Sequence, residues 1–172
     1  MVEGIDWNKV PEDRRQLAES LDRRLQDYET GCYENYGNVA GGFHIIADTV
    51  LNCDMPMEEA MEIIRHNYRY LEAIYDELGD FREVPLTRDT ACFHVCKDLY
   101  PNIQQGVEKL EEQVAAGEDP TGTLKRLWYW GDVIVDVGRT SYRRMIAVQT
   151  EIRSIPGCEN RLIQRKLPKI SE

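Results

Sequence analysis

The stretch from Thr121 to Ile155, TGTLKRLWYWGDVIVDVGRTSYRRMIAVQTEIRSI, constrains this chain more than any other. On a seven-residue repeat, one line holds Leu124, Leu127, Gly131, Ile134, Gly138, Ser141, Met145, Val148, Ile152 and Ile155. Steps of three and four residues put these side chains on one face of a helix. Trp128, Val135 and Tyr142 form a second line that widens the stripe to the broad face of a core helix. At ~1.5 Å per residue a helix over about 121–155 is roughly 50 Å long, more than the ~30 Å breadth of a small domain. It is therefore expected to bend, project or reach a partner.

The middle of this helix is unusual. From Leu127 to Gly138 only Asp132 and Asp136 are clearly polar, so this part is expected to be covered nearly all round. Gly131 and Gly138 lie on the seam, and each costs a helix interior roughly 1 kcal/mol against alanine. A closely approaching helix or ring would offset that cost, and so would a ligand in a pocket. Trp128, Gly131, Asp132, Gly138, Ser141 and Tyr142 are thus the candidate binding seam. The run from Asp132 to Val137 also has the β-branched composition of a strand. The helix is preferred because no other segment offers a strand to pair with it.

The rest of the chain reads as shorter helices. Residues 1–10 form an arm with Trp7 as anchor. Pro11 suits a first helical turn, and Leu17, Leu21, Leu25 and Tyr28 make a narrow apolar stripe on a helix reaching about Tyr36. Val39, Phe43, Ile46, Val50 and Leu51 mark a helix over about 38–52. Asp54 as cap, Pro56 and the register Met57, Met61, Ile64, Tyr68, Leu71 predict a helix over about 55–78 that stops at Gly79. A fourth helix starts near Arg88, is kinked or restarted by Pro101, and runs to about Ala116. Thr121 or Thr123 caps the long helix, and Pro156-Gly157 ends it. Leu162, Ile163 and Leu167 predict a last short helix in a basic tail over 156–172. The expected fold is all-α: a single domain of about six helices around the long central one.

Charge narrows the partners. The formal net charge is −10, which argues against a binder of nucleic-acid phosphates. Residues 1–60 hold thirteen acids against five bases, whereas residues 153–172 hold two acids against five bases. A basic tail that docks on the acidic face of another subunit follows as an expectation. No run of eighteen apolar residues offers a membrane span, and the N-terminus lacks the pattern of a secretory signal. The five cysteines have no framework spacing and read as reduced, mostly buried thiols of a cytoplasmic protein.

Two clusters carry recognisable chemistry. Glu58-Glu59-Ala60-Met61-Glu62 is followed after fourteen residues by Glu77-Leu78-Gly79-Asp80. This pair resembles the EExxE and ExxD signature of the MazG-like, all-α nucleoside triphosphate pyrophosphatases. The resemblance implies a magnesium-dependent enzyme with Glu59, Glu62, Glu77 and Asp80 as ligands, since magnesium takes oxygen donors and bridges phosphates. It covers 23 residues, and it requires a turn at His66-Asn67 to bring the motifs together; the periodicity instead reads as one helix. Cys92-Phe93-His94-Val95-Cys96 places the two cysteines on one helical face and His94 on another, which suits buried thiols rather than zinc. Asp132, Asp136, Arg139 and Arg143 fall along one edge of the long helix, with Asp136 expected to pair with Arg139 or Arg143.

From the residues alone, the expected function is non-enzymatic, with no cofactor. The chain reads as a helical subunit, adaptor or regulator that binds protein, most simply a second copy of itself. The pyrophosphatase is the alternative, and a binder of a small hydrophobic ligand at Gly131, Gly138 and Ser141 is the second alternative.

Overall fold

A computed structural model of the chain describes residues 4–31, 33–78 and 84–164, with side chains described except at 30–40 and 77–78. It contains five α-helices: α1 (Glu12–Gly31), α2 (Tyr33–Asn52), α3 (Met57–Leu78), α4 (Ala91–Ala116) and α5 (Thr121–Arg153). Among the described residues there is no strand, so the run from Asp132 to Val137 is helical.

α5 is the axis of the fold. It packs most extensively on α2, then on α4 and α1, while α3 completes the bundle against α2 and α4. The repeat seam is the face it buries. Leu124, Leu127, Gly131, Ile134, Ser141, Met145, Val148 and Ile152 are all buried, and Ile155 follows in the turn beyond the helix. Gly138 alone of the seam is half-buried. The helix is not covered all round in its middle. Tyr129 is 61% exposed and Asp136 is exposed, because the neighbouring helices occupy only part of its circumference.

Close approach to α5 does occur at glycines of two partner helices. A Cβ on Gly41 of α2 would stand 2.9 Å from Val135 Cγ2. One on Gly106 of α4 would stand 2.9 Å from Leu127 Cδ2 and 3.0 Å from Trp130 Cζ3. α2 therefore rests its backbone against the β-branched Val135, and α4 rests on Leu127 and Trp130.

The helix boundaries follow local chemistry. α1 is described to Gly31 and α2 from Tyr33, with Cys32 between them outside the described residues, so the expected end near Tyr36 falls within α2. Asp54 takes a left-handed conformation (φ 55°) in the turn after α2. α4 closes on Gly117 (φ 68°): its N–H bonds Val114 O, and Glu118 N–H bonds Gln113 O, the paired pattern of a Schellman end. Pro101 lies inside α4 without ending it, flanked by the buried Tyr100 and Ile103. The N-cap position of α5 is Pro120 rather than a threonine, and Asp119 just before it supplies the side-chain bonds: its Oδ1 accepts from Thr121 N–H at 3.0 Å and from Thr121 O–H at 2.6 Å.

Both ends of the described chain are docked. Ile5 and Val10 are buried beside the half-buried Trp7, so the arm has three anchors, and Asp6 N–H bonds Gly157 O at 2.8 Å. The expected short helix over Leu162 and Ile163 does not form through Gln164; Leu167 lies outside the described residues. The segment instead turns inward to bury Arg161, which is 1% exposed. Its Nε donates to Asp22 Oδ1 at 2.7 Å, and its Nη1 pairs with Glu29 Oε1 at 2.5 Å and donates to Leu162 O at 2.6 Å. Burial works against the Arg161 charge, but the bonds from Glu29 and Asp22 outweigh it. Arg161 of the basic tail therefore finds its acidic partners within its own chain; Arg165, Lys166 and Lys169 lie outside the described residues.

No helix among the described residues is long and apolar enough to cross a membrane.

Candidate functional site

The turn before α4 is built by its own hydroxyls. Thr87 N–H donates to Thr90 Oγ1 at 2.7 Å, and Asp89 and Thr90 N–H donate to Thr87 Oγ1 at 3.2 and 3.3 Å. Thr90 O–H in turn donates to Pro85 O at 2.6 Å. Threonines three apart ahead of a helix satisfy backbone donors that the helix leaves open. This rigid turn sets Arg88 and Asp89 on either side of the start of α4.

Asp89 points into the protein. Arg24 of α1 grips it with both nitrogens, Nε to Oδ2 at 2.8 Å and Nη2 to Oδ1 at 3.1 Å, and Tyr28 O–H donates to Oδ1 at 2.7 Å. Burial opposes the Asp89 charge, but the bonds from Arg24 and Tyr28 prevail and hold the carboxyl below its ordinary range. Burial first, and the bond to Asp89 next, push the Tyr28 hydroxyl up, so it remains a donor. The acid is fully committed to fixing the turn on α1.

Arg88, exposed on the other side of the turn, borders a cavity of about 250 Å³ between the start of α4 and the middle of α5. Arg88, Ala91, Cys92, Asp136, Val137, Thr140, Ser141 and Arg144 line it. Arg144 Nη1 donates to Arg88 O at 3.1 Å, which ties the two cationic residues together across the opening. Two guanidiniums against the single carboxylate of Asp136 leave the lining net positive in a protein that is strongly acidic.

Cys92 borders this cavity and is 2% exposed. It is the second residue of α4, where unpaired backbone N–H groups favour a negative charge. A hydrogen bond from Cys96 pulls its pKa down, and one from Ser141 adds to this against the cost of burial. Burial, by contrast, pushes Cys96 up. The Cys92 thiol is thus held below its ordinary range and Cys96 above it, and of the two only Cys92 borders the cavity.

The candidate seam divides between two places. Trp128 and Asp132 belong to the α2 contact. The His44 ring lies 4.7 Å from the Trp128 ring, and His44 Nδ1 is 3.2 Å from Trp128 O and 3.9 Å from Asp132 Oδ1. A carbonyl can only accept, so this bond requires the proton on Nδ1. Gly131 is buried, Gly138 is half-buried and Tyr142 is 43% exposed. Only Ser141 of the six lines the cavity. Asp136 also lines it and does not pair with Arg139 or Arg143; all three are exposed, so solvent serves them as well as a partner would.

The two acidic motifs do not converge. Glu59 and Glu62 are exposed on the first two turns of α3, while Glu77 belongs to its last turn, with its side chain outside the description. α3 runs unbroken through His66 and Asn67, so the turn that the resemblance needs is absent. Glu59 and Glu77 are therefore roughly 27 Å apart along the axis. Asp80 lies outside the described residues. Among the described residues no group of three or more His, Cys, Asp or Glu could hold a metal ion.

Sequence reasoning identified Cys92 and Cys96 as buried thiols on one face but not the cavity, nor Arg88, Asp89 and Arg144 around it. The available signal was Thr87-Arg88-Asp89-Thr90, hydroxyls at cap spacing ahead of an apolar run.

The site thus defines an all-α bundle with a small cationic cavity at a helix start. Compared with protein-family models, curated proteins and solved structures, the chain matches none.

Proposed function

We propose that this chain is a non-enzymatic helical binding protein, a subunit or adaptor that works through protein contact, and that it self-associates through the cavity between α4 and α5. The observation that carries the reading is the pairing of Arg88 and Arg144 over a cavity of about 250 Å³ with Ala91 and Val137 in its walls. That volume is below the ~300–1,000 Å³ of pockets that enclose whole small-molecule ligands. It suits one inserted side chain, and two guanidiniums select a carboxylate. A second copy is the partner that fits best, because its own surface is rich in acids on a net charge of −10. The free thiols at Cys53, Cys92, Cys96 and Cys158 support a reducing, cytoplasmic setting for this contact.

Sedimentation velocity over a range of protein concentrations tests the reading. The wild-type chain is expected to associate, and to do so less at high salt because the contact is between charges near solvent. Arg88→Glu with Arg144→Glu is expected to remain monomeric with an unchanged far-ultraviolet dichroism spectrum. A wild-type protein that stays monomeric throughout, or a double variant that associates as before, overturns it.

A further inference from the structure

We propose that Cys92 is a site of covalent modification, at which the protein forms a mixed disulfide with a small anionic thiol delivered as its disulfide. The inference rests on the same cavity as the proposed contact, but not on what a partner inserts there.

Three features of the geometry converge on it. First, Cys92 is nearly removed from bulk solvent, yet it borders a cavity that opens to the surface. A reagent must enter that cavity to reach the sulfur, so the lining decides which reagents succeed. Second, the lining carries Arg88 and Arg144, fixed to one another by the bond from Arg144 Nη1 to Arg88 O. Asp136 offsets one of the two charges; Asp89 also attracts Arg144, but its own charge is bonded to Arg24 and Tyr28, so the balance around the cavity stays positive. The net positive lining favours a reagent that carries carboxylates. Third, Ser141 and Cys96 both bond the Cys92 sulfur, and Cys92 lies in the first turn of α4, at the positive end of the helix dipole. A thiolate is the nucleophile in disulfide exchange, and each of these contacts stabilises it.

The step balances without any further reactant. The Cys92 thiolate attacks one sulfur of the small disulfide. A new bond forms between Cys92 and that sulfur, the original sulfur–sulfur bond breaks, and the departing thiolate leaves with the electron pair. It takes up the proton that Cys92 released. Cys92 and one sulfur of the reagent end in the new disulfide, while the departing sulfur is the one reduced.

Other cysteines serve as internal standards. Cys53 is exposed and sees the reagent without the cavity. Cys158 is buried and does not line this cavity.

The test compares two probes of opposite charge on the folded, full-length protein at dilution sufficient for a monomer. Glutathione disulfide carries excess carboxylates; cystamine carries only amines. Each is added at low salt, and the adducts are quantified at every cysteine by peptide mapping in the mass spectrometer. Rates at Cys92 are divided by those at Cys53 to remove the intrinsic reactivity of each probe. The expected result is a Cys92 adduct whose normalised rate favours glutathione disulfide by roughly tenfold, the lower end of what a charged cleft contributes to an encounter. Arg88→Gln with Arg144→Gln is expected to remove most of that preference while Cys53 is unaffected. Ser141→Ala is expected to slow Cys92 towards both probes alike. A Cys92 that stays unmodified until denaturant is added overturns the proposal. So does a normalised rate that is the same for both probes. Because the readout is mass at a named residue, its failure is separate from any failure of self-association, which sedimentation reads.

Discussion

Arg161 and Asp22 stand 139 positions apart in the chain and meet at 2.7 Å inside the protein. Asp22 is itself buried, and its second oxygen accepts from Gln26 Nε2 at 2.8 Å. With Glu29 on the same guanidinium, the pair clasps the C-terminal segment to α1. At Arg161 the complementarity of acidic first helix and basic tail is thus met inside one chain, and it costs this residue its freedom to reach another subunit.

Removing Arg161 is therefore a stability experiment. Arg161→Ala leaves the buried Asp22 and the half-buried Glu29 without their cation, which costs about 3–5 kcal/mol. Arg65→Ala, at the exposed pair with Glu111, is expected to cost less than about 1 kcal/mol. Truncation of residues 157–172 removes the clasp altogether and should weaken the whole body rather than release a stable subunit. Urea denaturation of the three proteins checks the order. A truncated chain as stable as the full one would refute the internal clasp.

Asp89 predicts how stability varies with acid. Its folded pKa lies below the ordinary aspartate value of about 3.9, so its contribution is complete above that value and fades as pH falls through the lower, folded one. Asp89→Asn is expected to cost about 1–3 kcal/mol near neutrality, since it removes a charged acceptor from Arg24 and Tyr28. The gap between variant and wild type should narrow as the pH is lowered from about 7 to about 3. Denaturant midpoints across that range decide it; a gap that stays constant would place the stabilisation elsewhere.

Much of the fold was legible because it rests on periodicity. The seam of α5 was readable residue by residue, and the C-terminal ends of α3, α4 and α5 lie close to the Gly and Pro residues that marked them. What was not legible depends on contacts between distant residues. The burial of Arg161 cannot be seen in a run that reads as a short basic helix, because its partners lie in α1. The cavity has the same character: Cys92, Arg88 and Arg144 mean little singly, and Ser141 was singled out as a seam residue beside glycine rather than as a bond to a thiol. Glycine illustrates the division best. The cost of glycine in a helix pointed to close packing, and attention fell on Gly131 and Gly138 of α5. Gly41 and Gly106, one helix over in each case, make close contacts on α5 as well.

Those contacts make a final prediction. Gly106 is buried in the interior of α4, and a Cβ there would press on Leu127 and Trp130 at 2.9 and 3.0 Å. Gly122, in the first turn of α5, has nothing within 4 Å of the same position. Alanine is favoured over glycine in a helix by up to about 1 kcal/mol. Gly122→Ala should show a gain of that sign, reduced by its place near the helix end. At Gly106 the same gain is opposed by the need to move Leu127 and the Trp130 ring, so Gly106→Ala should be neutral or destabilising. Gly106→Leu cannot be accommodated by small shifts and should cost roughly 1–3 kcal/mol through overpacking. Because all three substitutions keep the helices helical, differences among their denaturant midpoints report the distance between α4 and α5. If Gly106→Ala stabilises the protein as much as Gly122→Ala does, the two helices are farther apart than this packing requires.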